Sequence, residues 1–202
     1  FIGLYAGWQN TSGSDNNAIG AGAGYFNTTG SCNNFIGANA GHNNISGCYN
    51  NLIGEKAGYC NNSGSNNNLS GRCAGYCNTG SDNNFFGQCA GWNNTGSDNT
   101  FFGEKAGYSV TSGSNNTFFG RIAGFSVQTG SNNFIVGNIN GATALSDTII
   151  LGTGHTSRLT MNPSGAVFPG IVTATAFVGD GSGLTNLPGG GGGGGANVSL
   201  GS

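Results

Sequence analysis

"NTFFGEKAGYSVTSGSN" (Asn99–Asn115) runs straight into "NTFFGRIAGFSVQTGSN" (Asn116–Asn132). The second stretch repeats the first nearly letter for letter, and two adjacent aromatics open each copy. The glycine after the apolar pair recurs at Gly3, Gly20, Gly37, Gly54, Gly71, Gly87, Gly103, Gly120 and Gly137, in steps of 17, 17, 17, 17, 16, 16, 17 and 17. The glycine of "AG" and the glycine before the Ser/Asn cluster keep the same beat. In the two 16-residue copies, Gly75 to Gly80 and Gly91 to Gly96 are one residue shorter than their equivalents. The deletion follows the aromatic both times, which marks that stretch as a surface loop, because loops absorb length changes and packed ladders do not.

A unit of about 17 residues is too short for helical-pair or leucine-rich repeats. Gly and Asn in every window also weaken any helix. The expected fold is therefore all-β: a parallel β-solenoid of eight to nine coils over residues 1–141. Each coil should carry short strands at "NFFG" and at "AGY", with Gly/Asn/Ser turns between them. Equivalent residues then stack at about 4.8 Å per coil in ladders of Phe, Ala, Tyr and Asn, giving a rod on the order of 40 Å long.

Composition narrows the function classes. The chain has 202 residues, 42 of them glycine, with 6% charged, 10% aromatic and a net charge of −2. So little charge gives no electrostatic footprint for nucleic acid. No apolar run approaches the roughly 20 residues of a membrane span, so no membrane insertion is expected. The chain opens inside a repeat, as a fragment or processed product would, so its targeting is not legible.

Neighbouring strand residues point to opposite faces. Of the two apolar rows, the first (Phe35, Phe85, Phe101, Phe118) and the second (Ile36, Phe86, Phe102, Phe119) must therefore diverge. One row fills the coil with the Ala of "AG", and the other lies outside. An outer ladder of this kind exceeds what soluble monomers usually expose, and further copies of the same chain are the expected cover. The other arrangement has a turn at Gly rotating both side chains inward.

Six cysteines map onto the repeat as pairs: Cys60 with Cys77, Cys73 with Cys89, and Cys32 with Cys48 in nearly equivalent turn positions. Stacking brings such pairs within disulfide range. Reduced, small apolar ladder residues are the other reading. Asp15, Asp82 and Asp98 suggest calcium, but most coils carry another residue there, so asparagine turn ladders are preferred and no other cofactor is indicated. "CAGYC" lacks zinc-ligand spacing. His42 and His155 have no partner in register, and Glu55 and Glu104 lie three coils apart, so no enzyme activity is expected. The row Trp8, Tyr25, Tyr59, Tyr76, Trp92, Tyr108 and Phe125 is the candidate contact surface for glycan, since such aromatics stack on sugars; packing on neighbouring coils is its alternative. Sequons at Asn10, Asn27, Asn44 and Asn93 are expected by chance in so Asn-rich a chain.

Repeats of the "N-x-F-I-G-x-x-A" type resemble the β-roll heads of trimeric autotransporter adhesins and the repeat regions of phage tail fibres, with a longer period and more Phe and Asn than the former. The segment "SDTIILGTGHTSRLTMNPSGAVFPGIVTATAFVGDGSGLTNLP" (Ser146–Pro188) is similar to tail-fibre sequences. The resemblance implies a homotrimeric fibre shaft on a virion tail that meets a host surface glycan or protein. A bacterial extracellular adhesin or filament of the same repeat is the alternative, with a monomeric ice- or polysaccharide-binding solenoid behind it. Residues 142–188 read as a C-terminal β segment of the kind found in tail-fibre trimerisation regions. Residues 189–202, opening with seven glycines, read as a flexible tail or a polyglycine bundle among chains.

Overall fold

The computed structural model describes residues 1–169. Eight three-residue strands recur once per coil: β1 (Asn17–Ile19), β2 (Asn34–Ile36), β3 (Asn51–Ile53), β4 (Asn68–Ser70), β5 (Asn84–Phe86), β6 (Thr100–Phe102), β7 (Thr117–Phe119) and β8 (Phe134–Val136). Each pairs in parallel and in register with the next, so that Phe85 opposes Phe101 and Phe101 opposes Phe118. The described residues contain no helix. The chain is an all-β parallel solenoid of about eight coils at about 17-residue spacing, as the period predicts.

The strands are short because the anchor glycine ends each one. Gly37 has φ 129° and Gly71 φ 138°, values that L side chains rarely adopt. A Cβ on Gly71 would also sit 2.6 Å from the carbonyl oxygen of Gly87. The coils therefore close-pack backbone on backbone at this corner.

"AGY" does not form the second strand that the sequence suggested. Successive turns replace it: Ala40 N–H donates to Gly37 O (3.2 Å), His42 to Asn39 O (3.3 Å) and Asn44 to Gly41 O (3.0 Å). The left-handed backbone at Asn39 and Gly41, both at φ 57°, is incompatible with an extended strand. The turns still form a ladder, since Gly41 N–H donates to Ala57 O and Asn43 N–H to Tyr59 O at 2.9 and 2.8 Å.

The interior has one apolar and one polar half. Phe35, Leu52, Leu69, Phe85, Phe101, Phe118 and Ile135 form one buried column, and Ala23, Ala40, Ala57, Ala74, Ala90, Ala106 and Ala123 a second. Burying each large side chain contributes about 1.5–3 kcal/mol. Opposite them stand two columns of asparagine. In one, Asn27 donates through Nδ2 to Asn10 Oδ1 (2.8 Å), Asn44 to Asn27 (2.7 Å) and Asn61 to Asn44 (2.7 Å). Val110 and Val127, also fully buried, continue this column in the later coils. In the other, Asn33 donates to Asn16 (3.1 Å), Asn50 to Asn33 (3.0 Å) and Asn67 to Asn50 (3.1 Å), and each amide also reaches a backbone carbonyl of the next coil. Outside the coil a third row runs Asn17, Asn34, Asn51 and Asn68, donating in the opposite sense, toward higher residue numbers.

The loop that changes length is the one between the first asparagine column and the following glycine. Asn61 Nδ2 reaches Gly64 O three residues on, whereas Asn78 reaches Gly80 O and Asn94 reaches Gly96 O only two residues on. The hydrogen bond is kept while the loop loses a residue.

Parallel pairing continues past residue 141, for β8 pairs with β9 (Ile149–Thr153). β10 (Thr156–Asn162) then pairs antiparallel with β9, and β11 (Gly165–Val167) antiparallel with β10, which ends the parallel ladder. Pro163 lies in the turn between β10 and β11. The rest of the expected C-terminal β segment and the glycine-rich tail from 189 lie outside the described residues.

Candidate functional site

The paired apolar rows are resolved by the strand geometry. Phe101 and Phe118 are fully buried, whereas Phe102 and Phe119 are 44% and 49% exposed. Rotation of both side chains inward does not occur. The first row lines the coil, and the second, Ile36, Ile53, Phe86, Phe102 and Phe119, stands on the outer sheet face. Its rings stack on one another: Phe86 on Phe102 at 5.1 Å between centroids and Phe102 on Phe119 at 4.8 Å.

This outer face changes character along the rod. Beside the apolar row runs the column Asn17, Asn34, Asn51, Asn68, Asn84, Thr100 and Thr117, which is polar and becomes Phe134 and Ile149 at its end. The register extends both columns into the hairpin, where Leu159 opposes Leu151 and Met161 opposes Ile149. Phe134, Ile149, Leu151 and Met161 are all exposed. A one-column apolar ridge thus broadens into a two-column apolar strip over β8 to β10, with Arg158 exposed beside Leu159 at the β10 bulge.

The aromatic row forms a continuous stack, and it contains a residue that the sequence reading left isolated. His42 occupies the gap between Tyr25 and Tyr59, with centroids at 5.1 and 4.9 Å and planes within 13°. The stack continues through Tyr76, Trp92, Tyr108 and Phe125 at 4.5 to 5.8 Å. Trp8 lies outside it, edge-on to Tyr5. The ring faces cover one another, so the row presents edges and hydroxyls to solvent. Sugar stacking needs free ring faces, so any glycan contact along the stack falls to its polar edges. Burial pushes the Tyr76 phenol above its ordinary range, with Cys60 and Tyr59 adding to the rise.

All six cysteines are free thiols. Cys60 and Cys77 are equivalent in consecutive coils, as are Cys73 and Cys89: Cys60 N–H donates to Tyr76 O as Cys77 N–H does to Trp92 O, both at 2.8 Å. Cys32 and Cys48 are one position out of register. Cys48 takes a place in the serine row, its Sγ accepting from Ser31 N at 3.3 Å, while Cys32 sits in the left-handed turn position shared with Tyr49. Burial pushes the Cys73 thiol up, and Cys89 beside it adds to the rise.

Asp15, Asp82 and Asp98 occupy that same turn position, at φ 57°, 58° and 60°. Asn and Asp tolerate it through local side-chain hydrogen bonds. Among the described residues no group of three or more His, Cys, Asp or Glu stands close enough to hold a metal ion, and no helix long and apolar enough to cross a membrane occurs among them. Glu104 stacks under Arg121 with an Oε2 to Nε distance of 3.3 Å, an exposed pair of small energetic weight. His155 lies exposed in the β9–β10 turn. Of the four sequons, Asn27 and Asn44 are buried in the amide column and Asn93 is exposed. A shallow groove beside the aromatic stack is lined by Asn43, Ile45, Cys60, Asn62, Cys77 and Thr79. Compared with protein families, curated proteins and solved structures, the chain matches none of them.

Proposed function

We propose that this chain is a structural shaft segment of a homotrimeric surface fibre, of the phage tail-fibre kind, displayed outside the cell that makes it and directed at a host surface. The observation that carries the reading is the exposed apolar face of β6 to β10: one column at β6 and β7, where Phe102 and Phe119 stand beside Thr100 and Thr117, and two columns from β8 to β10. Three strands at about 4.8 Å spacing with two apolar columns, and two strands with one, make an area on the order of 200 Å². Contiguous apolar patches approaching a few hundred Å² commonly mark contact sites. The strip continues a ridge of Ile and Phe along the earlier coils, interrupted at Ser70, so identical rods laid side by side bury a matched seam along most of it. The likeness of Ser146–Pro188 to tail-fibre sequences points the same way.

The repeat suits this role mechanically. Each coil is tied to the next by backbone hydrogen bonds, stacked rings and asparagine amides, so bending the rod would disturb several ladders together. The remaining faces carry Asn, Thr and Tyr edges, a polar surface suited to contacts with host glycan or protein.

Light scattering on the purified chain tests the assembly, with three chain masses expected at micromolar concentration. Phe119→Asp should lower that mass while leaving the circular dichroism of the coils intact. A wild-type monomer under these conditions refutes the reading. Binding of the fluorescently labelled assembly to a panel of bacterial cells tests the host-directed role, and no binding to any of them would count against it.

A further inference from the structure

We propose that Cys60 and Cys77 are a modification site: on oxidation they join in a disulfide that staples the Gly54 coil to the Gly71 coil, where the repeat changes length. The argument begins with an irregularity in the buried asparagine column. Asn61 and Asn78 are its members immediately after the two cysteines, and their amide link is 3.4 Å long. The preceding links, Asn44 to Asn27 and Asn61 to Asn44, are 2.7 Å each, and the following one, Asn94 to Asn78, is 2.8 Å. The stretched link falls where the coil first loses a residue, between the three-residue loop Asn61–Gly64 and the two-residue loop Asn78–Gly80. The second column changes here and at the next coil. Asn83 Nδ2 turns to Asn78 Oδ1 at 3.1 Å, leaving only its backbone N–H to reach Asn67 Oδ1, and Asn99 does the same toward Asn94 and Asn83. The link between Asn61 and Asn78 is the longest amide link of the first column, and the two thiols span it.

The geometry suits a bond. The two residues occupy the same position in consecutive coils, held by equivalent backbone hydrogen bonds. Their ladder spacing of about 4.8 Å falls within the Cα separations that disulfides span, and the β-carbons need approach only to about 4 Å. The two side chains face the same groove and are close enough for Cys60 to raise the Cys77 thiol. Both are half-buried and open onto the groove beside the aromatic stack, so a small oxidant can reach them. The other stacked pair, Cys73 and Cys89, is buried, and Cys32 and Cys48 are out of register.

The chemistry is thiol–disulfide exchange with a low-molecular-weight disulfide, RSSR. Cys77 is pushed up to about 12, by burial first and then by its hydrogen bond to Cys60, so it keeps its proton. The first attack is assigned to Cys60, which gives up its proton: its sulfur bonds one sulfur of RSSR and the other leaves as RS⁻, which takes a proton. The Cys77 sulfur then attacks the mixed disulfide, the Cys60–Cys77 bond forms, and the second RSH leaves with the Cys77 proton. The two thiols lose two electrons and two protons, and RSSR gains both as two RSH.

The test uses the full chain incubated with oxidised or reduced glutathione, followed by alkylation, trypsin digestion and mass spectrometry. Cleavage after Lys56, Arg72 and Lys105 places Cys60 in peptide 57–72 and Cys77 in peptide 73–105. The expected result is a joined pair of peptides, two hydrogens lighter than their sum, both in wild type and in Cys73→Ser/Cys89→Ser. The oxidised protein should melt roughly 5–10 °C above the reduced one, and Cys77→Ser should abolish both effects. Should the double variant fail to fold, fragmentation of the wild-type joined peptide between Cys73 and Cys77 places the bond. The proposal is overturned if Cys60 and Cys77 are recovered alkylated or as separate glutathione adducts, or if the bond maps to Cys73 or Cys89.

Discussion

Asn50 and Asn51 are neighbours of one residue type, yet they should differ several-fold in what their removal costs. Asn50 is 1% exposed. Its Nδ2 donates to Asn33 Oδ1 (3.0 Å) and Gly64 O (2.8 Å), and its Oδ1 accepts from the backbone N–H and Nδ2 of Asn67 at 3.0 and 3.1 Å. In Asn50→Ala the Asn67 backbone N–H loses its partner inside the coil, while the Gly64 carbonyl keeps Asn61 Nδ2 at 2.6 Å. Asn67 Nδ2 keeps Gly80 O, and Asn33 Oδ1 keeps the Asn50 backbone N–H. One orphaned N–H at about 1–3 kcal/mol, with the lost amide links beside it, suggests a loss of about 2–3 kcal/mol. Asn51 instead faces outward, bonded only to Asn34 and Asn68 in the outer row. Water replaces those partners, so Asn51→Ala should cost about 0.5–1 kcal/mol. Urea unfolding followed by far-UV circular dichroism measures both. Equal losses would refute the inward and outward assignment of the strand, and a small loss at Asn50 would show that the interior amides are satisfied some other way.

The same contrast applies to the paired aromatics: Phe101→Ala should cost about 3–5 kcal/mol, while Phe102→Ala, measured on the isolated chain by the same unfolding assay, should stay under about 1 kcal/mol. Gly71→Ala should fail to give soluble folded protein or lose more than about 3 kcal/mol, because a positive φ and a backbone collision coincide there; near-native melting would contradict the corner packing. Alkaline pH should destabilise the reduced protein through Cys77. Its folded pKa of about 12 lies above the ordinary 9.0, so the contribution is complete below pH 9 and is lost as pH rises toward 12. Thermal melts across that window should fall less steeply in Cys77→Ser than in wild type, and parallel curves would contradict the assignment.

Much of the architecture was legible because a solenoid reduces folding to one repeated decision. The period, the anchor glycines and the loop that drops a residue could all be read from spacing alone. Which of two adjacent apolar residues faces inward could not be read from Phe101 and Phe102 themselves, because strand alternation separates them without assigning a side. The signal lay elsewhere in the row: Ser70 takes the second position in one coil, while the first position is always apolar, from Ala18 to Ile135. The buried asparagine column carried a comparable clue in Val110 and Val127, since a place that accepts valine for asparagine is an interior place. His42 was missed because residues were grouped by chemistry, whereas the stack selects flat rings. "AGY" was misread as a strand because its aromatic suits one, yet the left-handed residue before the alanine dictates a turn. The Cys32 and Cys48 pairing failed by one residue, which in a ladder is the whole distance between one row and its neighbour.

The direction of the asparagine rows gives the rod an electrical polarity. Within the interior rows the amides of Asn27, Asn44 and Asn61 and of Asn33, Asn50 and Asn67 present their N–H₂ to the oxygen of the preceding coil, so these side-chain dipoles align head to tail along the axis. Turning one amide around would set oxygen against oxygen on one side and N–H₂ against N–H₂ on the other. Each row therefore has only two favourable settings, all one way or all the other, and its members are fixed together and not one at a time. The outer row points the opposite way, so two interior rows are opposed by one and the cancellation is incomplete. The two ends of this rod are distinguishable by charge distribution alone, even though almost none of its side chains is charged.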